Sequence, residues 1–195
     1  MYKMMLYKGA CNPISRNFLY PSTFDFKYPV AGEKNSTVKV LSYDVETRKL
    51  HDMKIPLDND GYIPNIRYAK SSDRLMVTTL NRTQNNLNIY AVNPRSSISK
   101  LVYSEKSDSW IDIDLSNKAI FFENSFTILS DRSGYTHLYQ YSNNGTLIKQ
   151  LTKGDWNVTD YYGYDKLKKI HYIQTTQRGA INRTLSKIDA KGIVS

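Results

Sequence analysis

The side chains of this sequence that could do chemistry are few and scattered. One serine sits beside a glycine, Ser133-Gly134 in "SDRSGYTHLYQY". A hydrolase nucleophile elbow needs G-x-S-x-G at a strand-to-helix turn, and no such pentapeptide occurs. Ser133 is therefore expected to cap a turn between two strands. The histidines are His51, His137 and His171, far apart and each in a strand-like run. They lack the close spacing with which imidazoles share a metal. In "SDSWIDIDLS", Asp108 is followed by Asp112 and Asp114. A spacing of two puts Asp112 and Asp114 on one face of a strand. Paired acids there could hold a cation or serve as acid and base, and the plainer expectation is a solvated edge beside a turn. The single cysteine, Cys11, excludes an internal disulfide and any metal site built on cysteine pairs. It reads as a free thiol in a loop before Pro13. The nine glycines are dispersed, so no phosphate-cradling loop exists. No metal, no cofactor and no catalytic residue is expected, and no substrate-binding residue is assigned.

Composition narrows the classes further. The chain has 195 residues, 40% hydrophobic and 12% aromatic, with sixteen tyrosines. That suits a folded domain with a core and excludes a disordered tail. No apolar run approaches the roughly 20 residues that span a bilayer. The start, "MYKMMLYKGACNP", is too polar for a secretory core segment, so any export signal is expected to lie outside this chain. The formal charge of +9 raises the question of nucleic acid. Lysine and arginine are scattered singly, however. The densest cluster, Lys166, Lys168 and Lys169 in "DKLKKIHY", reads as a solvated turn, and no nucleic-acid partner is expected. Five N-x-S/T words, at Asn35, Asn81, Asn144, Asn157 and Asn182, matter only in a eukaryotic secretory setting.

Short alternating runs dominate the rest. "STVKVLSYD" sets Val38 and Val40 on one face, and "RLMVTTLN", "NLNIYAVN", "HLYQYSNN", "DYYGYD" and "KIHYIQTT" are alike. Asn, Asp, Gly, Ser or Pro bounds each run. This is the signature of many short antiparallel strands, so the fold class is all-β. A strand–turn–strand unit recurs around Glu33-Lys34, Arg82, Arg132 and Arg178. Its anchors Asp44, Asn93, Asn144 and Asp189 fall at intervals of roughly 45–50 residues, the period of a four-stranded propeller blade. About four such blades make a partial β-propeller over residues 20–195. Residues 1–19 are the least patterned and are expected to be irregular. No hydrolase domain is expected within this chain.

The order of several stretches carries a resemblance. "LYPSTFDFKYPVAGEKNSTVKV", "DGYIPNIRY", "LMVTTLNRTQNNLNIYAVNP" and "SDRSGYTHLYQY…LTKGDWNVTDYYGYD" together resemble the propeller of the dipeptidyl peptidase IV family, in the prolyl oligopeptidase clan. The match runs from about Tyr7 to Gly192. It implies an N-terminal propeller portion of a serine exopeptidase that releases X-Pro or X-Ala dipeptides, with a hydrolase domain as its partner and peptides as substrates. It also implies a periplasmic or secreted parent and a possible homodimer. The family's Ser-Asp-His triad and its pair of glutamates have no counterpart here, because Glu33, Glu46, Glu105 and Glu123 are all isolated. The chain therefore looks like the later blades of a longer propeller. A propeller used purely as a binding scaffold is the alternative.

Overall fold

The computed structural model describes the backbone of residues 4–11, 22–29, 32–71, 73–189 and 192, and side chains from residue 32 onward within those ranges. The chain divides into two compact units, Met1–Thr37 and Val38–Ser195.

The first unit holds β1 (Met4–Cys11) and β2 (Ser22–Pro29), paired antiparallel from Met4 against Pro29 to Cys11 against Ser22. The expected irregular start is thus corrected over Met4–Cys11. Lys8 and Gly9 break the alternation in sequence, but eight residues of backbone pairing need no regular side-chain pattern. Cys11 ends a strand instead of sitting in a loop, and its side chain lies outside the described residues.

The second unit contains β3 (Leu41–Asp44), β4 (Lys49–Asp52), β5 (Tyr62–Tyr68), β6 (Leu75–Leu80), β7 (Asn86–Val92) and β8 (Ser99–Lys106). A short helix α1 (Ile113–Asn117) follows, then β9 (Ile120–Phe121), β10 (Ser125–Ser130), β11 (His137–Ser142) and β12 (Leu147–Gln150). Last come β13 (Val158–Asp165), β14 (Ile170–Thr175) and β15 (Thr184–Ile188). Among the described residues they form a β3–β4 ribbon, two four-stranded meanders, β5–β8 and β9–β12, and a three-stranded sheet, β13–β15. Within each sheet, strands consecutive along the chain pair antiparallel. The recurring unit is a hairpin in each case: around Arg82 and Arg132 it joins the two central strands of a four-stranded sheet, and around Arg178 it joins β14 to β15. The upstream unit differs: among the described residues β2 pairs with β1 and β3 with β4, with no pairing of β2 to β3.

Central strands explain why these sheets stack. β6 is buried at every position. Its side chains alternate across the sheet, so Leu75 and Val77 meet Val40 and Met53 beside the ribbon, while Met76 and Leu80 face the other way. There they join Phe121, Phe126 and Ile128 of the next sheet. β10 and β11 repeat the device. Phe126, Ile128, Tyr139 and Tyr141 pack back toward β5–β8, and Leu129 and Leu138 pack forward onto Val158, Tyr161, Ile173 and Ile188. A sheet covered on both faces reads as a nearly continuous apolar run.

The chain-reversal chemistry is equally local. Asp44 accepts from Glu46 N and Thr47 N, and Asn93 from Arg95 N and Ser96 N. Asp165 does the same for Leu167 N and Lys168 N. Each loop closes on a non-glycine residue in the left-handed region, Arg48, Ser97 or Lys169, with φ of 55°, 61° and 56°. Such residues cost about 1–2 kcal/mol each, offset by the capped turn. At Asn144 the job passes to Gly145, with φ 96°.

Asp112 and Asp114 correct the strand reading. Asp112 is the N-cap of α1, its carboxylate accepting from Asp114 N at 2.9 Å, and Asp114 lies in the first helical turn. An N-capping acid competes with strand geometry because it satisfies an otherwise orphaned amide. Arg67 of β5 donates to the carbonyls of Asn117, the last residue of the helix, and of Ala119 beyond it. Lys118 reaches Asp160 at 3.1 Å and Thr159 O at 3.0 Å. The helix is thus tied to the sheets on either side.

Between the last two sheets runs a buried relay. Thr127 donates to Tyr161, whose hydroxyl lies 2.9 Å from His171 Nδ1. Burial pushes the His171 pKa down from 6.5 to about 4. The folded value lies below the unfolded one, so the unfolded chain binds the extra proton between them. This histidine's contribution is fully present above about pH 6.5 and is lost as pH falls toward 4. Wild type is expected to lose about 2 kcal/mol more than His171→Gln between pH 7 and pH 5, read from urea midpoints. Equal losses would contradict a neutral, buried His171.

Candidate functional site

The side chains that converge most tightly lie where the β10–β11 hairpin meets the end of β8. Period two puts Tyr103 and Glu105 on one face of β8, and Tyr139 and Tyr141 on one face of β11. Ser130 ends β10, and Arg132 follows in the turn closed by Gly134 N to Asp131 O. Glu105 is 8% exposed, although it is an ionisable residue. Tyr103 OH donates to its Oε2 at 2.6 Å, and Ser130 Oγ donates to its Oε1.

Arg132 closes the network. Nε donates to Ser130 Oγ at 3.0 Å, Nη1 to Tyr141 OH at 2.7 Å and Nη2 to Tyr103 OH at 2.6 Å. The direct ion pair to Glu105 is longer, at 3.8 Å. Hydroxyl groups therefore relay the attraction from guanidinium to carboxylate. The guanidinium carbon lies 5.1, 5.4 and 5.8 Å from the ring centroids of Tyr103, Tyr139 and Tyr141. All three distances fall within cation–π range. Burial, then the neighbouring Glu105 charge, holds the Tyr103 hydroxyl well above its usual pKa. It stays protonated and donates. A third of the Arg132 side chain remains exposed, and its remaining N–H groups can meet an arriving carbonyl or carboxylate. The cluster is a positioned hydrogen-bond donor, without a nucleophile or a free base.

The serine and histidines of the sequence stand apart from one another. Ser133 accepts from Tyr139 OH at 2.9 Å and donates to Tyr135 O. Its placement as a turn residue agrees with its exposed position on the hairpin. His137 is 2% exposed, with Nδ1 3.1 Å from Thr152 Oγ1 and Nε2 3.0 Å from Gly154 O. A carbonyl can only accept, so Nε2 carries the proton and Thr152 donates to Nδ1. Trp156 stands edge-on to that imidazole at 5.3 Å. Gly154 has φ 129°, and a Cβ there would lie 2.5 Å from the indole Nε1. The words "THLY" and "TKGDW" are thus two halves of one contact, a structural lock rather than a reacting group. Trp156 itself is partly buried against the forward core. His51 is half-buried beside the β3–β4 turn, in a cavity shared with Tyr43, Tyr68 and Arg95. Among the described residues no group of three His, Cys, Asp or Glu side chains could hold a metal ion.

Several of the N-x-S/T asparagines hold local structure, and Asn182 Nδ2 donates to Arg178 O at 2.9 Å. Asn81 accepts from Asn85 N and Asn86 N, and Asn157 accepts from Thr136 N. The Glu105–Arg132 pairing is the part that sequence reasoning missed. Its available signals were the two same-face pairs, Tyr103/Glu105 and Tyr139/Tyr141. Which faces meet is decided by the stacking of sheets, not by any local word.

The family described as dipeptidyl peptidase IV (DPP IV) N-terminal region matches residues 2–194. A dipeptidyl peptidase 4 of Trichophyton rubrum is 30% identical over 173 residues, covering 84% of this chain and 22% of that protein. One from Arthroderma otae is 30% identical over 167 residues, covering 81% of this chain and 21% of the other. The crystal structure of Porphyromonas gingivalis dipeptidyl peptidase 4 superposes with a TM-score of 0.86 at 35% identity, over 98% of this chain and 27% of that one. The chain spans about a quarter of the length of these relatives.

Proposed function

Because this chain belongs to the dipeptidyl peptidase IV N-terminal region family, we propose that it is the propeller portion of a serine exopeptidase, which admits and orients peptides for a hydrolase domain elsewhere in the full-length protein. The full-length protein then releases X-Pro or X-Ala dipeptides from peptide amino termini. The observation that carries this reading is the family match over residues 2–194 of an all-β chain whose sheets pack face to face. Rigid stacked sheets exclude folded protein by size. A fixed donor such as Arg132, on the turn joining two central strands, can hold an extended peptide without reacting with it. Orientation of this kind lowers the entropic part of a barrier whose chemistry is done by other residues.

The 195-residue chain alone is expected to release nothing from a Gly-Pro chromogenic substrate, whereas the full-length protein does so. Turnover by the isolated chain that Ser133→Ala abolishes would overturn the reading. Gating is tested separately on the full-length protein. A flexible X-Pro peptide should be cut, and the same X-Pro terminus held close against a folded domain should be spared. Equal cleavage of both would remove the gating role.

A further inference from the structure

The lysine cluster of "DKLKKIHY" has a place in the fold that the peptidase reading does not use. Lys166, Lys168 and Lys169 occupy the β13–β14 turn, which Asp165 organises from its side chain. The turn sorts the three amines. Lys168 lies 4.0 Å from the Asp165 carboxylate. Lys169 takes a left-handed backbone, φ 56°. Lys166 and Lys169 both line a cleft of about 520 Å³ between the β9–β12 and β13–β15 sheets, and Lys149 of β12 lines it from the other side. Among the described residues neither Lys166 nor Lys169 makes an ion pair.

The cleft has a firm back wall. Tyr164 sits 4.4 Å from the His171 ring and 5.3 Å from Phe122. Asn124 and Gln140 add amide groups to the lining, and Glu123 and Asp189 add acids. The volume lies within the roughly 300–1,000 Å³ of pockets that hold small ligands. Ammonium groups on flexible stems suit an oxyanion as mobile point charges. The two acids make the cleft a poor match for an extended polyanion, since added negative charge would meet them.

We propose that this cleft binds a small organic oxyanion, a phosphomonoester or a carboxylate, through Lys166 and Lys169. The test is isothermal titration of the full-length protein at low ionic strength, with inorganic phosphate in one arm and citrate in the other. Saturable binding of either probe is expected, and the arm that saturates says which oxyanion is preferred. The variant carrying Lys166→Gln and Lys169→Gln is expected to bind at least roughly tenfold more weakly, as for the loss of charge-assisted hydrogen bonds. Lys168→Gln lowers the net charge of the same turn and is expected to leave affinity within about twofold. All three substitutions are at exposed positions. No saturation by either probe overturns the proposal. So does undiminished binding in the double variant, or an equal loss in Lys168→Gln, which would make the effect one of general charge. The peptidase reading is untouched by either outcome, because Gly-Pro hydrolysis is measured independently.

Discussion

Arg132→Ala is expected to destabilise the chain by about 2–3 kcal/mol, far above the usual cost of an exposed turn substitution. The reason lies with its partners. Removing the guanidinium leaves Glu105, 8% exposed, without its cation, and takes hydrogen bonds from Tyr103, Tyr141 and Ser130 at once. Stranding one member of a buried pair costs about 3–5 kcal/mol. The lower figure applies here because a third of the arginine side chain is exposed and solvent screens the pair. Glu105→Gln in the Arg132→Ala background should recover part of the loss, since the neutral amide needs no counter-charge. A double-mutant cycle from urea melts measures the coupling. A loss under about 0.5 kcal/mol for Arg132→Ala, the ordinary surface value, would mean that solvent replaces the whole network. Arg132→Lys is no substitute, because one ammonium cannot address three hydroxyl groups in a fixed fork.

Arg132 also marks the limit of what the sequence reveals. That it sits on a hairpin between two strands was legible from "SDRSGYTHLYQY", because Asp131 and Gly134 bracket a turn and alternation resumes beyond it. Its partners were not legible, since Tyr103 and Glu105 are 29 and 27 positions upstream on another sheet. The all-β class and the central hairpins followed from period-two runs, which are dictated locally. Asp112 and Asp114 were misread for a related reason. A spacing of two fits a strand face, but it also fits an N-cap and the amide it accepts from, and only the backbone around them decides. The ribbon β3–β4 shows a third case. "FDFKYP" and "STVKVLSYD" look like two arms of one hairpin, yet each pairs elsewhere. Strand pairing is a choice among several similar edges, and composition does not make it. The placement of Trp156 is likewise not written in its own segment. It packs edge-on to His137, 19 positions upstream, and is half-buried.

Phe126→Ala is expected to be the most damaging single change, at about 3–5 kcal/mol. Phe126 is fully buried on the face of β10 that meets the β5–β8 sheet. Its ring stacks on Tyr141 at 5.5 Å with an interplanar angle of 15°, meets Tyr103 edge-on at 6.2 Å, and lies 5.5 Å from Phe121. Strands cannot easily close the void, because β10 is hydrogen-bonded on both sides, to β9 and β11. Phe126→Leu keeps most of the volume and should cost less than about 1.5 kcal/mol. The larger consequence is coupling. Tyr103 and Tyr141 present their hydroxyls to Arg132 while their rings rest on Phe126. A cavity beneath them loosens the ring positions that fix the guanidinium. The losses from Phe126→Ala and Arg132→Ala should therefore sum to more than the double variant shows, by roughly 0.5 kcal/mol or more in a thermodynamic cycle. Strict additivity in urea melts would mean that the core and the cationic turn are independent. The tyrosines would then be held by their own hydrogen bonds, and the donor geometry at the turn would not depend on how the two sheets are packed.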